Sequence, residues 1–195
     1  MLRRDLITLG GAAALLAACG VETRPPFKAV DITGAEYGRD FQLPDTEGKE
    51  RSVQDFAGKA VVLFFGYTQC PDACPTTLAE IAEAKKLLGA DGAKVQPVLV
   101  SLDPERDRPD LLKSYVTAFG PDFVALRGNP EQTAAVAKEF KVFFRKVPGS
   151  TPGSYTMDHT AASYVYDPNG RLRLYVRYGS GGQALADDLR LVLAG

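Results

Sequence analysis

The chain of 195 residues is short of the side chains that usually announce chemistry, with one histidine, three cysteines and two methionines. That scarcity restricts the readings. A structural zinc site takes four protein donors, mostly Cys and His; with Cys19 set apart as argued below, only Cys70, Cys74 and His159 remain. The formal net charge is −1, which leaves no electrostatic footprint for nucleic acid or for an anionic membrane surface. No internal repeat and no second domain is visible. At 45% hydrophobic and 24% charged residues, the composition is that of a globular domain large enough to bury a core.

Long apolar runs are also missing. Leu6 to Ala18 is apolar and small but too short to span a bilayer comfortably. It follows Arg3-Arg4 and ends in Leu16-Ala17-Ala18-Cys19, the layout of an export signal. Leu-Ala-Ala-Cys resembles a bacterial lipobox, in which the cysteine is diacylated and becomes the first mature residue. Arg3-Arg4-Asp5-Leu6-Ile7 also resembles a twin-arginine signal. Residues 1–18 are therefore expected to be a signal peptide, residues 19–35 a lipid-anchored tether containing Pro25-Pro26, and residues 36–195 the folded domain. This places the domain on the extracytoplasmic, periplasmic side of a bacterial cell membrane, where disulfides persist.

Within the domain, Phe41-Gln42-Leu43 and Arg51-Ser52-Val53 flank a turn-rich stretch and predict an N-terminal hairpin. Ala60-Val61-Val62-Leu63-Phe64-Phe65-Gly66 reads as a strand buried on both faces. Pro75 fits the first turn of a helix whose apolar stripe runs from Leu78 to Leu88 and stops before Gly89. Val98 to Leu102 is the next strand, with Pro97 expected at its start. Helices over Asp110 to Phe119 and from Pro130, capped by Asn129, enclose a short strand at Phe123 to Leu126. Strands at Val142 to Val147 and Tyr164 to Tyr166 follow, separated by a loop at Pro148 to Ser154. Asp167-Pro168-Asn169-Gly170 is a hairpin turn leading to Leu172 to Val176, and Gln183 to Leu193 closes the chain as a helix. This order predicts an α/β, thioredoxin-like fold: a central mixed β-sheet flanked by helices, with an N-terminal hairpin.

Cys70 and Cys74 fall on the turn after the first central strand. At a spacing of four on a helical turn, their side chains share a face, with Cβ atoms about 5–6 Å apart. That gap suits two thiolates converging on a metal ion, and modest relaxation closes it to a disulfide. The helix N-terminus also favours thiolate. A dithiol switch and a metal clip are both compatible with it. A purely structural disulfide gains little, because so short a loop holds little chain entropy. His159, in Met157-Asp158-His159-Thr160, precedes a strand in a region that a thioredoxin-like fold packs beside the cysteine turn. Thiol oxidoreductases carry a cis-proline there, whereas this chain has no proline between Pro152 and Pro168. Two thiolates and an imidazole are a soft set that suits Cu(I). Met157 is a weak further donor or a core residue. Asp158 either orients the imidazole or is a solvated surface charge, and Asp72 either tunes the cysteine loop or is the same. A peroxiredoxin-type peroxidase fits poorly, since Thr68 stands one residue too close to Cys70 and Phe64 occupies the upstream proline position.

Cys70-Pro71-Asp72-Ala73-Cys74-Pro75-Thr76-Thr77-Leu78, then Val98-Leu99-Val100-Ser101-Leu102-Asp103-Pro104-Glu105-Arg106-Asp107, then Asp158-His159-Thr160 with Asp167-Pro168-Asn169-Gly170 resemble the Sco/SenC family of membrane-tethered thioredoxin-fold copper proteins. The resemblance covers about Tyr37 to Leu193. It implies copper ligands at Cys70, Cys74 and His159. It also implies a metallochaperone that delivers copper to the binuclear copper site of cytochrome c oxidase subunit II. The alternative it implies is a thiol-disulfide oxidoreductase that reduces the cysteines of that client through Cys70 and Cys74. Asp103 to Asp107 is either a partner surface or loop and capping chemistry.

Overall fold

The computed structural model describes residues 27–195; the expected signal peptide, Cys19 and the first part of the expected tether lie outside the described residues. In chain order the elements are β1 (Val30–Asp31), β2 (Leu43–Pro44), β3 (Glu50–Arg51), β4 (Ala60–Gly66), α1 (Ala73–Leu87), β5 (Val95–Ser101), α2 (Pro109–Thr117), β6 (Val124–Leu126), α3 (Pro130–Glu139), β7 (Phe144–Pro148), β8 (Tyr155–His159), β9 (Ala162–Tyr166), β10 (Leu172–Arg177) and α4 (Gly182–Ala194).

The main sheet has six strands in the order β1-β10-β9-β4-β5-β6. β4 pairs in parallel with β5, and β5 with β6, while β9, β10 and β1 are added antiparallel. The continuous apolar run of β4 is explained by its position: all seven residues are buried. Ala60, Val62 and Phe64 point into one core with α1, α2 and α4. Val61, Leu63 and Phe65 point into a second core with α3 and the N-terminal hairpin. Alternate residues of one strand thus serve two layers, which is why the strand lacks the polar positions of a half-exposed one.

Helix signals act as their chemistry requires. The Asn129 side chain accepts from Gln132 N at 2.8 Å, the Gln132 side chain closes a capping box, and Pro130 is the first residue of α3. That helix ends in a Schellman arrangement, with Lys141 N bonded to Lys138 O and Val142 N to Ala137 O. Lys141 takes the left-handed φ of 55° that the turn needs. The chain then enters β7, which pairs only with β8.

Two sequence expectations are corrected, and one unassigned segment gains a strand. Pro97 lies inside β5, third of seven residues, rather than before the strand. This is tolerated because β6 joins β5 only from Val98 onward, so at Pro97 no ladder donor is required on that side. Tyr155–His159, between the expected loop and the expected strand at Tyr164 and left without an element, is a strand pairing with β7 as a hairpin. Residues 27–35, which composition alone assigns to the tether, are fastened to the domain. Lys28 N and Ala29 N each donate to the buried Asp188 carboxylate at 2.8 Å, and Val30 and Asp31 pair with Tyr175 and Leu174. No helix among the described residues is long and apolar enough to cross a membrane.

Candidate metal centre

The site forms where three segments meet. β4 ends at Gly66, and a short turn carries Cys70 to the start of α1, whose second residue is Cys74. His159 arrives from the far side as the last residue of β8. One donor atom from each of Cys70, Cys74 and His159 lies within 4.8 Å of the others. Cys74 Sγ is 3.6 Å from His159 Nε2, and Cys70 Sγ accepts from Cys74 N at 3.3 Å. Both cysteines are free thiols.

Each donor is held by its surroundings. Cys74 is fully buried, and Gly66 makes room for it: a Cβ at that position would lie 2.8 Å from Cys74 Sγ. His159 Nδ1 faces Thr160 O at 3.0 Å. A carbonyl only accepts, so Nδ1 donates to it, which leaves Nε2 as the ring nitrogen that faces the sulfurs. The rings of Phe64 and Tyr67 meet the imidazole edge-on, at 6.2 Å and 5.9 Å between centroids. Tyr67 also accepts from Met157 N at 3.2 Å, tying β8 to the turn after β4.

The two thiols are unequal. A hydrogen bond from Cys74 brings Cys70 down to about 4, against the opposing effect of its partial burial; His159 and the backbone of Asp72 and Cys74 add to the lowering. Cys74 is pushed well up by its hydrogen bond to Cys70 and by burial. The arrangement is a half-exposed thiolate backed by a buried thiol. An open cleft of about 330 Å³, lined by Tyr67, Cys70, Asp72, Met157, Asp158 and His159 among others, gives access to it.

The structure brings together the three residues singled out from the sequence. The flanking aspartates do other work. Asp158 pairs across the hairpin with Arg145 at 2.9 Å, so the orienting contact to the imidazole is the Thr160 carbonyl instead. Asp72 receives the Tyr178 hydroxyl at 3.5 Å on the exposed rim. Within Asp103 to Asp107 the two end carboxylates are buried and Glu105 is exposed. Asp107 accepts from Thr68 Oγ1 and Ser101 Oγ, both at 2.6 Å, and from Thr68 N at 3.1 Å, so it braces the start of the cysteine turn. This is the loop chemistry that was one of the two readings of Asp103 to Asp107, whereas Tyr67 and Gly66 were given no role from sequence. Gly66 carried the one readable signal, a glycine closing an apolar strand just before the cysteines.

The donors are a soft set of two sulfurs and one imidazole nitrogen, with Met157 packed in the core beside them. A thioredoxin-like sheet bearing such a set at the β4–α1 turn defines a class of proteins equipped to hold a soft metal ion at a redox-type turn. The SCO1/SenC family model matches residues 30–194, and the chain belongs to that family. It is 35% identical over 183 residues to a SCO2-like protein of Rickettsia felis, covering 92% of this chain and 89% of the relative. Among solved structures it resembles Bradyrhizobium japonicum ScoI with copper bound (41% identity, TM-score 0.72, 82% of this chain and 100% of that one). It also resembles apo Sco1 from Thermus thermophilus (36% identity, TM-score 0.77, 88% and 99%).

Proposed function

We propose that the protein binds copper through Cys70, Cys74 and His159 and hands it to a client site, the binuclear copper site of cytochrome c oxidase subunit II. The observation that carries this reading is the convergence of three soft donors, distant in sequence, within 4.8 Å of one another. Cu(I) suits thiolate and imidazole donors and accepts a low coordination number. A three-donor site open on one side lets an incoming client thiolate bind before a resident one leaves, so the ion passes by ligand exchange. The relative from Bradyrhizobium japonicum has copper bound. The oxidase as destination follows from the family likeness of the three motifs. Cys19, as the lipidated residue, would tether the domain to the extracytoplasmic face of the bacterial membrane; a Cys19→Ser protein recovered in the soluble fraction supports this, and one still in the membrane contradicts it.

The test of the binding site is metal analysis of the reduced protein in a Cu(I) competition. One copper per chain is expected, lost in Cys70→Ser and in Cys74→Ser, with zinc bound less well at equal buffering. Unchanged stoichiometry in the serine variants, or a preference for zinc, contradicts the assignment.

A second reading is favoured by the unequal thiols. As a thiolate in the open cleft, Cys70 is placed to attack a client disulfide and release one client thiolate. Cys74, on losing its proton, then attacks the Cys70 sulfur, releasing the second client thiolate and leaving the Cys70–Cys74 disulfide. An external reductant of thiol type restores the pair. Replacing His159 distinguishes the two readings, since it is a ligand in the first and auxiliary in the second.

A further inference from the structure

His159 stands on a hairpin that does not belong to the main sheet. Strands β7 and β8 form their own two-stranded sheet, so strand hydrogen bonding does not fix where His159 sits relative to the cysteines. The two-residue link through Thr160 and Ala161 to β9, and the bond from Met157 N to the Tyr67 hydroxyl, hold it in part; a further side chain spans the gap. Arg106, in the loop after β5, touches each of the other parts. Its Nε is paired with the buried Asp103 carboxylate. Its Nη1 donates to Tyr155 O in β8 at 2.8 Å and to Gln69 Oε1, next to Cys70, at 3.1 Å. The guanidinium stacks on the Tyr155 ring at 3.5 Å from its centroid and lies 5.8 Å from that of Tyr67. Tyr155 in turn donates from its hydroxyl to Asp103 at 2.8 Å.

We propose that Arg106 is a positioning residue for the third donor: it clasps the β7–β8 hairpin to the cysteine turn and so holds His159 in bonding range of Cys70 and Cys74. The inference rests on the three-donor reading of the site. The planar fork of arginine is what the place demands, because one side chain must serve a carboxylate, a carbonyl, an amide oxygen and an aromatic face together. Neutralising Asp103 alone would not require this. The Arg106 Nη2 is buried without a hydrogen-bond partner, a cost that a lysine facing Asp103 would not carry.

The experiment uses the full chain, reduced and metal-free, with Arg106→Met and Arg106→Lys. The lysine variant keeps a charge against Asp103 but cannot reach Gln69 and Tyr155 O as well. Amide hydrogen exchange is expected to quicken by about tenfold across Tyr155–His159 in both variants, with β4 and β5 unchanged in the lysine form. Cu(I) affinity is expected to fall about 10-fold, at the low end of what groups supporting a metal ligand provide. In a His159→Ala background, Arg106→Lys should cause no further loss. Unchanged hairpin exchange in both variants overturns the clasp. So does quickening spread equally over β4 and β5 in the lysine form, or an affinity loss of equal size in both backgrounds. A wild-type protein that fails to bind copper sinks the site reading instead, and leaves the metal-free exchange comparison to judge the clasp.

Discussion

His159 Nε2 lies 3.6 Å from Cys74 Sγ across a separation of 85 residues. The contact joins the end of a hairpin outside the main sheet to the buried first turn of α1, and it converts a cysteine pair into a three-donor site.

Removing the imidazole should separate metal binding from thiol chemistry. Disturbing groups that merely support a metal ligand costs about 10–100-fold in affinity. His159→Ala deletes a donor, so a larger loss of Cu(I) affinity is expected, with reduction of a model disulfide by the Cys70–Cys74 pair retained. Competition titration and a thiol-exchange assay on the same preparation measure both.

The inequality of the two thiols should be visible in their reactivity. A thiol brought down to about 4 stays thiolate above that pH and protonates below it. An ordinary thiol, near 8.5, is mostly protonated at neutrality. Alkylation of Cys70 in the reduced, metal-free protein should therefore hold a flat rate from neutral pH down to about 5 and fall below about 4, while Cys74 stays slow throughout. Peptide mapping after a pulse of iodoacetamide reads the two sites separately. A Cys70 rate that climbs tenfold per pH unit between 6 and 8 contradicts the assignment.

Gly66→Ala should damage the site from behind. The added methyl would lie 2.8 Å from Cys74 Sγ and 2.8 Å from the Phe64 ring, in a strand with no room to give. Overpacking of this kind costs about 1–3 kcal/mol. Lower stability to urea, together with weaker copper binding, is expected.

Asp107→Ala should loosen the cysteine turn without touching a donor. It removes the acceptor for Thr68 Oγ1, Thr68 N and Ser101 Oγ, and leaves the buried Ser101 hydroxyl with only the bond it accepts from Asp103 N. A destabilisation of about 2–3 kcal/mol is expected in a urea titration, in line with the worth of hydrogen bonds to charged groups. The relief of burying a carboxylate, whose proton affinity is raised by that burial, offsets part of it.

Features written in local chemistry were legible from the sequence. The run Ala60–Gly66, the Asn129-Pro130 start of α3 and the Asp167-Pro168-Asn169-Gly170 turn each carry their reason within a few residues. The N-terminal hairpin was legible in the turn-rich stretch between Phe41-Gln42-Leu43 and Arg51-Ser52-Val53, and the mixed sheet in the order of the elements. Features decided by distant partners were not legible. Nothing near Val30 announces a strand, since it depends on β10 and on Asp188. Pro97 is admitted to β5 only because β6 starts late. Tyr155–His159 carried no strand signal of its own, because its residues alternate between half-buried, exposed and buried without a run of apolar side chains, and its strand exists through pairing with β7. At the site, Cys70, Cys74 and His159 stood out by their scarcity, whereas Tyr67, Arg106 and Asp107 are common residue types whose roles exist only after folding.

The most direct test is X-ray absorption at the copper edge of the Cu(I)-loaded, reduced protein. The account predicts two sulfur scatterers and one nitrogen scatterer around a single copper, the nitrogen disappearing in His159→Ala. A coordination shell of sulfur alone in the wild type, or a nitrogen that survives loss of His159, would contradict it.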